Sequence, residues 1–164
     1  MPDIDNNTVI SEVQYNAITE FSKTLEMFSL TPSEARLFVT LYIEGKPMTL
    51  DEMSEALAKS KTSMSTGIRT LVDLNLVERV WKKGVRKDLY QANENLFQKF
   101  MSSYVHRWLD AASRQKESLE ETKAMLDEEA ENQNQTCVKD LQSRLDDMIE
   151  FHTMVTKAFE EINP

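Results

Sequence analysis

The chain has 164 residues, 40% of them hydrophobic, with three glycines and four prolines, so it has room for one domain or for a small domain plus a helical extension, built mostly from helices with short connections. It carries 19 basic and 28 acidic residues, net −9, and a body evenly acidic at that level would repel phosphate. One cysteine, Cys137, excludes an internal disulfide and fits a reducing compartment, and no apolar run approaches the roughly 20 residues that span a bilayer.

The opening MPDIDNN has no basic or apolar signal region, so the expected location is cytoplasmic, and residues 1–8 read as a frayed polar end. From Val9 to Phe28 the apolar positions Ile10, Val13, Ala17, Phe21, Leu25 and Phe28 advance by three or four, an amphipathic helix. Thr31, Pro32 and Glu34 then form a helix start. Threonine caps, proline takes the first helical position and glutamate completes a capping box. This helix runs to Glu44 with Ala35, Phe38, Val39, Tyr42 and Ile43 inward, and Gly45 stops it. Lys46-Pro47-Met48 crosses over in extended form. Thr49 with Glu52 is a second capping box, opening a helix whose inward residues are Met53, Ala56 and Leu57.

Ser60 caps a third helix with Met64, Ile68 and Leu71 inward. Lys61, Thr62, Ser63, Ser65, Thr66 and Arg69 stay outside, a small, hydroxylated and basic face that can enter a groove and still donate hydrogen bonds. Leu74 and Leu76 close this helix onto the core, and Val77–Trp81 and Lys87–Gln91 read as strands. Their turn, Lys82-Lys83-Gly84-Val85-Arg86, carries three positive charges, and Gly84 can supply a positive φ. Helix, extended link, helix, turn, helix and basic hairpin is the layout of a winged helix-turn-helix. The third helix would lie in the major groove of double-stranded DNA, with Lys82, Lys83, Arg86 and Lys87 along the adjacent backbone. Eight bases against three acids between Lys59 and Ala92 give this segment +5 on an otherwise acidic chain. A basic stripe on an acidic body orients the molecule on a polyanion and limits non-specific adhesion.

The run from Gly45 to Ala92 resembles the DNA-binding domain of MarR-type regulators, and within them the GbsR-like branch. The resemblance rests on Gly45-Lys46-Pro47-Met48-Thr49, the Ser60-Lys61 helix opening, Leu76-Val77, and Trp81 ahead of a Lys/Gly/Arg/Lys turn. It implies transcriptional control, with repression as the expected direction. Thr62, Ser63, Thr66 and Gly67 depart from the branch's recognition helix, so no operator sequence carries over. Gly67 either allows a close backbone approach or is simply tolerated, at about 1 kcal/mol relative to alanine.

Past Ala92, Asn93 reads as an N-cap for a long helix with a stripe of Leu96, Phe97, Phe100, Met101, Tyr104, Val105, Trp108, Leu109, Ala112, Leu119 and Leu126. At 1.5 Å per residue it would reach on the order of 55 Å. The polar link at 129–135 precedes a last helix over 136–162 with Val138, Leu141, Leu145, Met148, His152, Val155, Phe159 and Ile162 as a heptad seam. Two such helices fold back as an antiparallel pair. The expected fold is therefore mainly α, with three parts: an N-terminal amphipathic helix for dimerisation or packing (1–29), the winged domain with its two-stranded wing (30–92) and a helical dimerisation region (93–164). A homodimer suits it, because paired half-sites multiply affinity and specificity.

No catalytic constellation, phosphate-cradling loop or cofactor motif is visible, and no enzyme is expected. His106 and His152 have no acid or cysteine at metal-ligand spacing on their helix faces, so no metal is expected either. His106 reads as exposed and His152 as packed in the seam. The acids of 117–131 read as a solvated helix face, and Cys137 as an inert thiol with a redox role as the alternative. A different functional class stays open: a winged-helix adaptor that docks proteins without DNA. The resemblance further implies that some relatives sense choline or a related quaternary ammonium compound. A site for such a cation needs aromatic faces, and Tyr42, Trp81, Tyr90, Tyr104 and Trp108 are the candidates, with ordinary packing as the competing reading.

Overall fold

The computed structural model describes residues 6–129 and 135–162; the opening residues 1–5 and most of the polar link at 129–135 lie outside these. The chain divides into two compact units, Met1–Phe100 and Met101–Pro164.

The first unit holds α1 (Asn6–Glu26), α2 (Pro32–Glu44), α3 (Leu50–Leu57), α4 (Lys61–Asp73), β1 (Val77–Val80) and β2 (Leu89–Ala92), and it contains the start of α5 (Leu96–Glu129). Both capping boxes are present. Thr31 and Thr49 accept from the backbone N–H of Glu34 and Glu52, and each glutamate returns to its capping residue's N–H. Gly45 ends α2 in the left-handed region at φ 62°. Leu25, Phe38, Leu41, Met53, Met64, Ile68, Leu71, Leu76 and Val77 lie in one core. Phe38 is its aromatic centre, edge-on to Phe100 at 5.0 Å and stacked on Tyr42 at 6.2 Å.

Helix α1 differs from the expected uniform stripe. Ile18, Phe21, Ser22 and Leu25 pack, whereas Ile10, Val13 and Ala17 are exposed. With 21 residues against 13 in α2, α1 outruns the helix it packs on. Tyr42 and Ala56, expected inward, are exposed at the ends of their helices. The two strands pair antiparallel, Val77 opposite Ala92 and Val80 opposite Leu89. Trp81 and Lys87, expected in strands, lie outside the ladder, and the connecting loop is longer than the five residues expected. The Lys46–Met48 link also pairs. Met48 and Tyr90 exchange two backbone hydrogen bonds of 2.9 Å, which ties α2's exit to the wing.

Asn93 does not cap α5. Its side-chain amide donates to the Asn75 carbonyl at 2.8 Å and its N–H donates to Leu76, while Asn95 accepts from the N–H of Gln98. Asn93 instead fastens the sheet's exit to the end of α4. Phe97, expected on the stripe, is 71% exposed.

The second unit is an antiparallel helical hairpin of α5 and α6 (Gln135–Glu161). Trp108 stacks on Phe159, Lys123 pairs with Asp146 and Asp127 accepts from Gln142, so contacts run forward on one helix and backward on the other. The seam of α6 is rotated from the expected one. Val138 and Leu145 are buried, and Gln142, Ile149, His152, Val155 and Phe159 are half-buried, whereas Leu141, Met148 and Ile162 are exposed. His152 Nδ1 lies 2.8 Å from the Met148 carbonyl, a backbone tie that suits a packed histidine. His106 is exposed, and contrary to expectation it does have an acid on its helix face: Asp110, one turn on at i+4, lies 3.5 Å from its Nε2. No helix of the described residues is long and apolar enough to cross a membrane, and no group of three or more acidic, histidine or cysteine side chains among them could hold a metal.

Candidate nucleic-acid interface

The candidate surface lies wholly within the first unit. Ser60 caps α4, its hydroxyl accepting from the Ser63 N–H at 3.1 Å. Met64, Ile68 and Leu71 are fully or almost fully buried, which fixes the rotation of the helix. That rotation leaves Lys61, Thr62, Thr66 and Arg69 exposed, with Ser63 and Ser65 half-exposed. Thr66 donates to the Thr62 carbonyl at 3.0 Å, so its hydroxyl oxygen still has acceptor capacity. Gly67 faces the core. A Cβ there would meet Leu37 Cδ2 at 3.1 Å, so the glycine serves close packing of α4 on α2 through a side chain, not a backbone.

The wing carries the second group. Gly84 has φ 85°, and the Val85 N–H donates to Lys82 at 3.1 Å, closing the tip. Lys82, Lys83 and Arg86 are exposed and have no ion pair among the described residues. Arg79 pairs with Asp88 at the base of the loop. Lys87 and Lys61 are engaged differently from the other cations. Both bind Asp51 on α3, Lys61 at 2.7 Å through one carboxylate oxygen and Lys87 at 2.6 Å through the other. The two lysines hold the Asp51 carboxyl well below its ordinary 3.8, at about 2, and Asp51 in turn raises Lys87. The Glu52 carboxyl is lowered by the Thr49 N–H and hydroxyl of its capping box. Sequence reading missed Asp51, because nothing in its local pattern signals a partner 36 residues away.

The aromatic candidates are distributed over both units. In the first, Tyr42 lies on Phe38, Tyr90 is half-buried in β2, and Trp81 is 82% exposed at the wing. In the second, Tyr104 and Trp108 meet Phe159 at 6.0 and 5.0 Å. Trp108 and Phe159 are stacked within 11° of parallel, so those two faces fill each other. Phe159 joins this cluster, although the seam alone did not mark it as a partner.

No known family profile matches the chain. Individual relatives do. YvaV of Bacillus subtilis (strain 168), which carries the name of an HTH-type transcriptional regulator, is 30% identical over 160 residues, covering 95% of this chain and 90% of YvaV. The transcriptional repressor OpcR of the same organism is 29% identical over 155 residues, 94% of this chain and 74% of OpcR. The repressor GbsR, also from that organism, is 33% identical over 132 residues, 80% of this chain and 69% of GbsR. Among solved structures, a transcriptional regulator superposes with a TM-score of 0.56 over 90% of this chain and 96% of its own, at 19% identity, a likeness of fold. The chain belongs to the MarR-type winged helix-turn-helix transcriptional regulators, DNA-binding proteins that are not enzymes, in their GbsR-like branch.

Proposed function

We propose that the protein is a cytoplasmic, homodimeric repressor that places α4 in the major groove and its wing on the flanking backbone. The observation that carries this reading is the pairing of a groove-sized polar helix face with three unpaired wing cations in one unit. Thr62, Ser63, Ser65, Thr66 and Arg69 face base edges and nearby phosphates, with Lys61 at the helix start. Lys82, Lys83, Arg86 and Lys87 supply backbone contacts that carry little sequence information. The adaptor alternative loses support because all three relatives bear transcription-regulator names.

Two exposed apolar surfaces support the dimer. Val9, Ile10 and Val13 lie open on one side of α1, and Leu141, Met148, Phe151 and Met154 on α6, with Ile162 just past its end. Large side chains grouped this way on a helix mark an association surface more than a solvated one. Such a regulator would respond to an effector of quaternary ammonium type. Its support is that Trp108 stays 42% exposed beside Tyr104 although one of its faces stacks on Phe159, since a tryptophan face is the best side-chain surface for such a cation.

Gel-shift titration over a salt series tests the interface. Affinity falls steeply with salt, and replacing Lys83 and Arg86 together by alanine flattens the log–log slope by about 1.8, roughly 0.9 per lost phosphate contact. An unchanged slope removes the wing from the interface. Calorimetry with choline and glycine betaine at millimolar concentration tests the effector. Heat together with altered DNA affinity supports it, and neither refutes it.

A further inference from the structure

We infer that Asp51 is a positioning residue for DNA recognition: one carboxylate fixes the groove helix and the wing to each other and restrains their generic attraction to phosphate. The inference rests on the proposed interface and adds a residue to it that is not itself a DNA contact.

Four observations combine. Asp51 stands on α3, Lys61 at the first position of α4 and Lys87 beside β2, so a single side chain joins three elements. Each carboxylate oxygen serves a different lysine, at 2.7 and 2.6 Å, so neither pair displaces the other. The neighbouring Glu52 is committed to the Thr49 N–H at 2.7 Å, which leaves Asp51 to bridge the two lysines. All three side chains keep solvent access, so the bridge stands at the surface, where phosphate can approach.

The consequence is electrostatic as well as geometric. Two lysines and one carboxylate carry one net positive charge, so the cluster attracts a polyanion about as strongly as one free lysine. Without the carboxylate, both lysines would attract any phosphate, whatever the sequence behind it. With it, their ammonium groups are held in one arrangement, and a duplex that matches this arrangement gains over one that does not. Asp51 therefore lowers non-specific binding more than specific binding, and its effect is on the ratio between them. The carboxyl stays ionised throughout the neutral range, as its lowered pKa requires.

The test compares full-length wild type with Asp51→Asn and Asp51→Glu on two duplexes over a salt series. One duplex is enriched from genomic fragments by the wild-type protein, and the other is its scrambled counterpart. Asp51→Asn steepens the scrambled-duplex slope by about 0.9, one extra effective phosphate contact. It also lowers the enriched-to-scrambled affinity ratio by about tenfold, while Asp51→Glu, which keeps the charge, retains the wild-type slope. A thermal melt accompanies each variant, and Asp51→Asn remains folded at the binding temperature with only a small fall in Tm, because the bridge it loses is largely solvated. If the wild-type ratio is well above one and Asp51→Asn shifts both duplexes by the same factor, or leaves the slope unchanged, the inference fails alone. A wild-type ratio of one defeats the proposed function and this inference with it.

Discussion

Phe38 and Asp51 show the two ways a single residue matters here. Phe38 is almost wholly buried between Phe100 and Tyr42, so truncating it leaves a cavity that the fully packed core cannot refill. Phe38→Ala is expected to cost about 3–5 kcal/mol, read as a lower denaturant midpoint at unchanged m-value. Its place was legible, because Ala35, Phe38 and Val39 keep helical spacing behind a capping box. Tyr42 continues the same spacing yet is exposed, since periodicity does not say where the facing surface ends. Asp51 contributes through charge. Its folded pKa lies below the ordinary value, so its share of stability is complete above about pH 4 and is lost as pH falls from 3.8 through about 2. NMR titration of its carboxyl carbon should show a midpoint near 2, returning toward 3.8 when Lys61 and Lys87 are both replaced by methionine. An ordinary midpoint in wild type would mean the bridge does not persist in solution.

Among the elements, α4 was the most legible and α6 the least. Met64, Ile68 and Leu71 face a core that surrounds one side of α4 only, so the pattern had one solution. The apolar residues of α6 exceed what one seam can hold. Val138, Leu145, Val155 and Phe159 satisfy the hairpin with Ile149, and Leu141 and Met148 are left for an outer stripe. Sequence spacing alone cannot rank two overlapping stripes whose steps are all three or four. The same limit explains Asn93 and Asn95, both competent caps two positions apart, of which the first is claimed by the Asn75 carbonyl. Helix α4 supplies a further prediction through Gly67. Its missing Cβ would lie 3.1 Å from a methyl of fully buried Leu37, so a larger side chain must displace the core. Gly67→Leu is expected to destabilise by about 1–3 kcal/mol, through overpacking that outweighs leucine's better helix propensity. A melting temperature at or above wild type would show that α2 yields.

For the whole molecule, the acidic balance and the basic segment describe one design. The chain is net −9 while 59–92 is +5, so the acidic remainder disfavours random contact with nucleic acid, which suits the proposed approach through the winged surface. The open faces of α1 and α6 predict that light scattering at micromolar concentration returns twice the 19.0 kDa chain mass, and that Phe151→Glu with Met154→Glu returns the monomer. A double variant that stays dimeric would move the interface away from α6. Sequence-specific DNA binding by such a pair is measured by genome-wide selection of fragments with the purified full-length protein. The expected result is enrichment of a few fragments sharing an inverted repeat, with half-site centres about 10–10.5 base pairs or a multiple apart. Recovery of fragments in proportion to their input abundance, at salt where binding is still measurable, would contradict it.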